Sequence, residues 1–334
     1  MIDICLSHIQ LIITVPKVIN LYINCISNMS NRSYKNIVFE GGGTRGLAYV
    51  GVLKSMNNLD KLKYVKCITG TSIGSIFAVL AGCKCTNNEI DEYCVKFVSS
   101  LSILNDSIVK KTINFYTELG LHSNQFIYDS INSLLEKKLN IKNITFKQYF
   151  EKTGIDITIV GTCMTNRTTV YFNYKTYPNM EVSKAVQIST SIPLFFTIVK
   201  WDNKSWVDGG VVKNFAIDYY DNDSGLYNNE TLGVFLRPST SKDQEYSVNS
   251  LLELLEGIED VQLEDNIEQS IKNKNKRNII YIDTGTISSF NFVPTDEQRN
   301  FLINNGFEST NEFFNKESNS VQKSFLRSII DYVY

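Results

Sequence analysis

The chain has 334 residues, of which 43% are hydrophobic and 20% charged, enough apolar material for a large packed domain and too much for global disorder. A net charge of −2 leaves no excess of lysine and arginine to follow a phosphate backbone, so nucleic acid is excluded as an expected partner. Seven cysteines, odd in number and unevenly spread, fit reduced thiols in a cytoplasmic compartment better than a disulfide framework.

Residues 1–33 read as an N-terminal extension without an assigned role. The stretch 9–26 is apolar on average, but Pro16 and Lys17 interrupt it and Asp3 stands where a secretory signal carries basic residues. An interfacial helix or a loose extension is the expectation. Residues 36–40 then form a short buried strand that a glycine run breaks, and 47–58 carry apolar residues at helical spacing. A second strand over 64–69 leads through a tight turn into a helix beginning at 75–81. Strand, glycine turn, helix, strand, turn, helix is the alternation of a mostly parallel sheet covered by helices.

The middle of the chain is helical. Thr86 with Glu89 forms a capping-box pattern opening a helix to about Leu101, and Asn124 is placed to cap another to about Leu139. Strands return at 155–164, 169–174, 231–236 and 278–283, with a polar helix at 248–272 and closing helices at 296–304 and 320–333. No repeat and no Pro/Gly-rich linker marks a domain boundary.

Three motifs carry chemistry. Gly70-Thr71-Ser72-Ile73-Gly74 is a G-x-S-x-G between a strand and a helix. Such a turn lifts a serine hydroxyl out of the backbone, and Gly70 and Gly74 leave room for the strained elbow and for substrate. Alone the pattern is weak; its position gives it force. Gly41-Gly42-Gly43-Thr44-Arg45-Gly46 also sits at a strand-to-helix turn, where converging N–H groups can stabilise an oxyanion and Arg45 adds positive charge. The same glycines fit a dinucleotide fingerprint, but its acidic ribose partner is missing after the second strand, and Leu47 stands where a phosphate loop needs lysine.

The base is found partly by elimination. The chain has two histidines, His8 in the N-terminal extension and His122 ahead of the third motif, so a Ser-Asp-His order fails; each reads as an ordinary surface or capping residue. A carboxylate must serve, and Asp208-Gly209-Gly210 offers one at the end of a short apolar strand, although by itself it is an unremarkable turn. Cys83 and Cys85 lie two apart with no second cysteine pair to complete a zinc site. Phe77, Phe195 and Phe196 would suit an acyl chain, but core packing explains them at these spacings.

Together, in this order, the three motifs resemble the patatin-like phospholipase family in its microbial or viral form. The segment 145–154 looks like the stretch before the family's middle strand, 186–193 like the approach to its aspartate, and 290–314 like its C-terminal region. The resemblance covers about residues 34–315, one acyl hydrolase domain, with 316–334 as a C-terminal helix. It implies an α/β fold, a three-layer α/β/α sandwich with a mostly parallel sheet, and a Ser-Asp dyad of Ser72 and Asp208. Amides around Gly42 and Gly43 would hold the oxyanion, and no metal or other cofactor is needed. The implied substrate is a lipid or phospholipid at a membrane surface, cut by a phospholipase A-type reaction, with an activating partner of unknown kind left open. Ile73 and Ser75 depart from the alanines common in the family. A nucleotide-binding protein using the glycine loop and a catalytically silent lipid-binding relative are the competing readings.

Overall fold

The structure, a computed structural model, describes residues 33–100, 107–222, 226–239, 247–250, 253–258, 261 and 277–333, with side chains to 319. Tyr34–Thr310 form one compact unit, which holds the sheet and all three motifs, and the chain from Asn311 onward belongs to a second. The N-terminal extension with His8, and most of the expected helix at 248–272, lie outside the described residues; 253–258 are helical.

β1 (Asn36–Phe39) leads through a 3-10 turn (Gly43–Leu47) into α1 (Ala48–Asn58), β2 (Cys67–Thr71) and α2 (Ile73–Gly82). Next come α3 (Asn87–Ser100), α4 (Ile108–Glu118), β3 (Gly120–His122), α5 (Gln125–Leu139), α6 (Phe146–Thr153), β4 (Asp156–Cys163) and β5 (Thr168–Phe172). The chain continues through α7 (Val182–Ser189), β6 (Leu194–Phe196), β7 (Val199–Trp201), β8 (Lys204–Asp208) and the single turn α8 (Gly210–Lys213). β9 (Thr231–Arg237), β10 (Asn278–Asp283) and α9 (Asp296–Val333) complete it.

Among the described residues the main sheet runs β10-β9-β1-β2-β4-β8-β7, with β5 on the other edge of β4. From β10 to β4 the strands are parallel; β5, β8 and β7 are antiparallel to their neighbours. The sheet is mixed, and both faces are covered. Successive residues of a strand point to opposite faces, and β1 shows this: Val38 joins Val160, Phe215, Phe235 and Ile279 in one core cluster, while Phe39 packs against Tyr49 of α1, which in turn meets Phe77 of α2. Helix α2 is apolar on all sides and buried from Gly74 to Gly82, as a helix enclosed in a core must be.

Several expectations are corrected. β2 begins at Cys67 rather than at 64, because Tyr64 lies in an exposed turn and pairing starts only where Asn36 of β1 meets Cys67; strand length follows the partner. The two closing helices are one, α9, since no proline lies between 305 and 319 and Gly306 alone does not stop it. His122 is buried rather than superficial: it ends β3, which pairs with β6, and its ring lies 5.0 Å from that of Phe195. The capping box of Thr86 and Glu89 forms as expected. Asn124 occupies the N-cap of α5 but sends its side chain to Gln187 O and Ser191 Oγ instead of capping. Among the described residues no helix is long and apolar enough to cross a membrane.

Candidate active site

Ser72 sits between the end of β2 and the start of α2 with φ 51° and ψ −127°, a backbone conformation that side chains other than glycine rarely adopt. The surroundings hold it there. A Cβ on Gly74 would stand 2.5 Å from Glu40 O, and one on Gly70 would stand 2.3 Å from Gly74 O, so neither flanking position can carry a side chain. The Ser72 amide donates to Ser189 Oγ (2.9 Å), whose hydroxyl donates to Val160 O, and Ser75 Oγ donates to Ser72 O (2.6 Å). Ser75 thus ties the elbow from within. Ile73 lies against Gly46.

Asp208 closes β8. Its Oδ2 accepts a 2.7 Å hydrogen bond from Ser72 Oγ, and its Oδ1 accepts one of 2.7 Å from the Gly210 amide. The Asp208 amide donates to Ser191 O, fixing the strand end. Both residues are buried, Ser72 at 7% and Asp208 at 4% exposure, so the pair is shielded from bulk water. Gly209 lies under the Val160 carbonyl, where a Cβ would come within 2.4 Å.

The glycine loop divides by what its amides do. Gly41 N–H donates to Asn214 O, Thr44 N–H to Ser289 O and Arg45 N–H to Gly42 O. Those of Gly42 and Gly43 have no protein acceptor among the described residues, and both residues line the same cleft as Ser72 and Asp208. Gly43 has φ +50°, and a Cβ there would fall 2.2 Å from Ser289 O; only glycine fits. Arg45 does not supply charge to the cleft: its buried side chain donates from Nε to Ile287 O (2.8 Å) and lies 3.8 Å from Glu256. Gly46 belongs to the 3-10 turn and packs on Ile73.

Several residues at the site carried no signal in the sequence. Asn214, just past α8, accepts from Gly41 N–H through its carbonyl and donates from Nδ2 to Gly41 O (3.3 Å), joining the glycine loop to the segment after Asp208. Glu40 is fully buried and accepts from the Leu236 amide at 2.9 Å. Burial, reinforced by the Glu40 charge, holds the Tyr49 hydroxyl well above its ordinary pKa. Ser189, Ser191 and Ser289 each hold part of the frame; the first two fall in the stretch 186–193 that resembles the approach to the family's aspartate, which gave them no role, and Ser289 stood out in no motif.

Two cavities meet at Ser72. One, about 580 Å³ counting its open end, is lined almost wholly by apolar groups, among them Leu47, Ile76, Val98, Phe126, Phe196 and Phe292. The other, about 920 Å³ on the same measure, takes in Asp208, Gly42, Gly43 and Asn214 with Leu194, Val211 and Ile258 at its rim. Both fall in the usual size range of ligand sites. Phe196 therefore lines the site, where core packing was expected of it, whereas Phe77 and Phe195 are buried and line neither cavity. Among the described residues no cluster of His, Cys, Asp and Glu is arranged to hold a metal ion.

Comparison with known proteins identifies the family and the fold. Residues 37–221 match the model of the patatin-like phospholipase family. The chain is 31% identical over 191 residues to a probable lipid hydrolase, 463L, of Invertebrate iridescent virus 6, covering 57% of this chain and 64% of that protein. It is 25% identical to the uncharacterized protein YqhO of Bacillus subtilis, over 84% of this chain and 98% of that one. The chain thus spans somewhat less than two thirds of the viral relative's length. Among solved structures, VipD of Legionella pneumophila superposes with a TM-score of 0.54 at 18% identity, covering 85% of this chain and 67% of that one. ExoU of Pseudomonas aeruginosa, solved as a heterodimer with SpcU, gives 0.53 at 17% identity, over 86% of this chain and 52% of that one. Motifs, fold and family match coincide, and the chain belongs to the patatin-like phospholipase family.

Proposed function

We propose that the chain is a serine lipid acyl hydrolase of phospholipase A type, with Ser72 as nucleophile and Asp208 as general base. The observation that carries this reading is the 2.7 Å hydrogen bond from Ser72 Oγ to Asp208 Oδ2 inside a cleft with two unengaged amides. Ser72 Oγ attacks the ester carbonyl and its proton passes to Asp208. The carbonyl oxygen becomes an oxyanion held by the Gly42 and Gly43 N–H groups, with the N-terminus of α2 adding a favourable dipole. The C–O bond to the alcohol breaks, Asp208 returns the proton to the leaving oxygen, and Ser72 is left acylated. Water then gives its proton to Asp208 and attacks the acyl carbon, releasing the fatty acid and restoring the serine. The apolar cavity takes the acyl chain, and the larger cleft takes the glycerol side.

The test uses Ser72→Ala and Asp208→Asn against a fluorogenic ester and a phospholipid panel. Both variants lose hydrolysis while retaining the native circular dichroism, and a fluorophosphonate labels the unaltered chain at Ser72. Full activity in either variant would rule the dyad out.

A further inference from the structure

Helix α4 is amphipathic in the wrong sense for a helix lying on a protein. Ile108, Val109, Ile113, Phe115 and Tyr116 fall on one side by helical spacing, with Thr112 as the polar residue among them, and Lys110, Lys111, Asn114, Thr117 and Glu118 on the other. An ordinary surface helix turns its apolar side inward. Here the apolar side faces out: Ile108 is 82% exposed, Val109 69% and Tyr116 79%, and no residue of the helix is buried. The residues shielded most are Lys111 and Asn114, on the polar side, and Asn114 Nδ2 donates to the Leu121 carbonyl. The orientation is fixed by the chain that follows. Glu118 O accepts from the Ile198 amide, and β3, immediately after the helix, pairs with β6.

That pairing joins the helix to the site. β6 gives Leu194 to the larger cleft and Phe196 to the apolar cavity. Other exposed apolar side chains stand around the same cleft: Val211 and Ile258 line it, Val212 follows Val211, and Val293, 77% exposed, lies between the cavity-lining Phe292 and Pro294. Exposed apolar surface on this scale, contiguous with a lipid-sized cavity, marks an interaction face.

We infer that α4, with the apolar rim of the cleft, is the surface by which this protein docks on a lipid bilayer, laying its apolar side in the acyl boundary. A bilayer fits better than a protein groove for two reasons. The apolar side has the exposed Lys110 at its flank, suited to anionic headgroups at the level where such cations settle. The helix is also tied to the site, since β3, which follows it, pairs with β6, whose Leu194 and Phe196 line the two cavities at Ser72. The inference rests on the proposed lipid hydrolase reading for its choice of occupant, and its test does not.

The experiment sediments the full-length Ser72→Ala chain with vesicles of phosphatidylcholine alone and of equal parts phosphatidylcholine and phosphatidylglycerol. The chain binds both, more tightly the anionic ones, and adding Val109→Asp and Tyr116→Asp weakens binding about tenfold or more. Placed in the otherwise unaltered chain, the same pair lowers hydrolysis of vesicle lipid by a similar factor and leaves hydrolysis of a soluble short-chain ester and the melting temperature unchanged. Equal binding by chains with and without the two aspartates overturns the inference. So does a failure to bind either vesicle, including a chain that instead dimerises through this helix. Absence of hydrolysis on every ester would count against the enzyme reading alone, since the sedimentation arm needs no turnover.

Discussion

Ser72 and Asp208, 136 positions apart, meet because β2 and β8 approach each other head-on along one edge of β4. β2 runs parallel to β4 and its last residue, Thr71, pairs with Val160; β8 runs antiparallel and its last residue, Asp208, pairs with Gly161. β5 occupies the opposite edge over Ile159 to Cys163, so both incoming strands must share the remaining one. Strand ends on consecutive rungs bring a hydroxyl and a carboxylate into contact without any flexible loop. Rigid elements of this kind hold catalytic geometry better than loops do.

Removing either member of the pair should therefore act on chemistry and spare the fold. Ser72→Ala and Asp208→Asn are each expected to lower kcat/KM on a soluble ester by about a thousandfold or more, and the double variant by little beyond that, because the two groups work as one unit. Steady-state rates of the three variants check this, and additive losses would contradict it.

Ser189 positions the elbow without touching substrate. Its hydroxyl links the Ser72 amide to Val160 O, so Ser189→Ala leaves a buried donor and acceptor unpaired, at about 1–3 kcal/mol of stability. Fluorophosphonate labelling of Ser72 slows in this variant, while Ser189→Thr recovers part of the rate. Unchanged labelling alongside the stability loss would leave Ser189 a purely structural residue.

Gly43→Ala is the sharper test of the oxyanion loop. The new methyl would fall 2.2 Å from Ser289 O at a φ of +50°, so the loop has to move. Hydrolysis is expected to drop by about a hundredfold or more, as when one oxyanion donor is lost, with a stability loss of about 1–3 kcal/mol from the strained backbone. Kinetics and thermal melting read the two effects separately.

The apolar cavity predicts chain-length selectivity. Val98 is half-buried and lines that cavity from α3, so Val98→Trp narrows it with limited disturbance of the core. Hydrolysis of long-chain esters falls about tenfold relative to short-chain ones, within the range expected when an apolar pocket loses methylene-sized space. A panel of p-nitrophenyl esters of rising chain length measures it; parallel losses at all lengths would place the acyl chain elsewhere.

Stability should fall in alkali. Burial pushes the Cys83 thiol up to about 11 and the Cys85 thiol up to about 12, from an ordinary value of 9.0. Both fold as neutral thiols while the unfolded chain ionises near pH 9, so their contribution is intact below that pH and declines as pH rises through about 11 to 12. Melting temperatures between pH 8 and pH 11 should decrease, and less steeply in the Cys83→Ala, Cys85→Ala chain.

What could be read from the residues alone was whatever local geometry dictates. The glycines around Ser72, the run from Gly41 to Gly46 and the pair after Asp208 announce turns, because only glycine tolerates the close approaches found there. Apolar runs announced β1, β4, β9 and β10, since strands buried on both faces read as mostly apolar, with few polar residues such as Asp156, Thr158 and Thr162 of β4 between them. The tertiary structure decided the rest. Which amides of the glycine loop remain open depends on Asn214 and Ser289, whose carbonyls engage Gly41 and Thr44 across 173 and 245 positions of the chain. The outward apolar side of α4 could not be inferred from its periodicity, because a helical pattern names two faces and leaves their orientation to whatever the helix meets. Pairing along β4 likewise set the Ser72–Asp208 contact, for sequence separation carries no distance until the strands take their register.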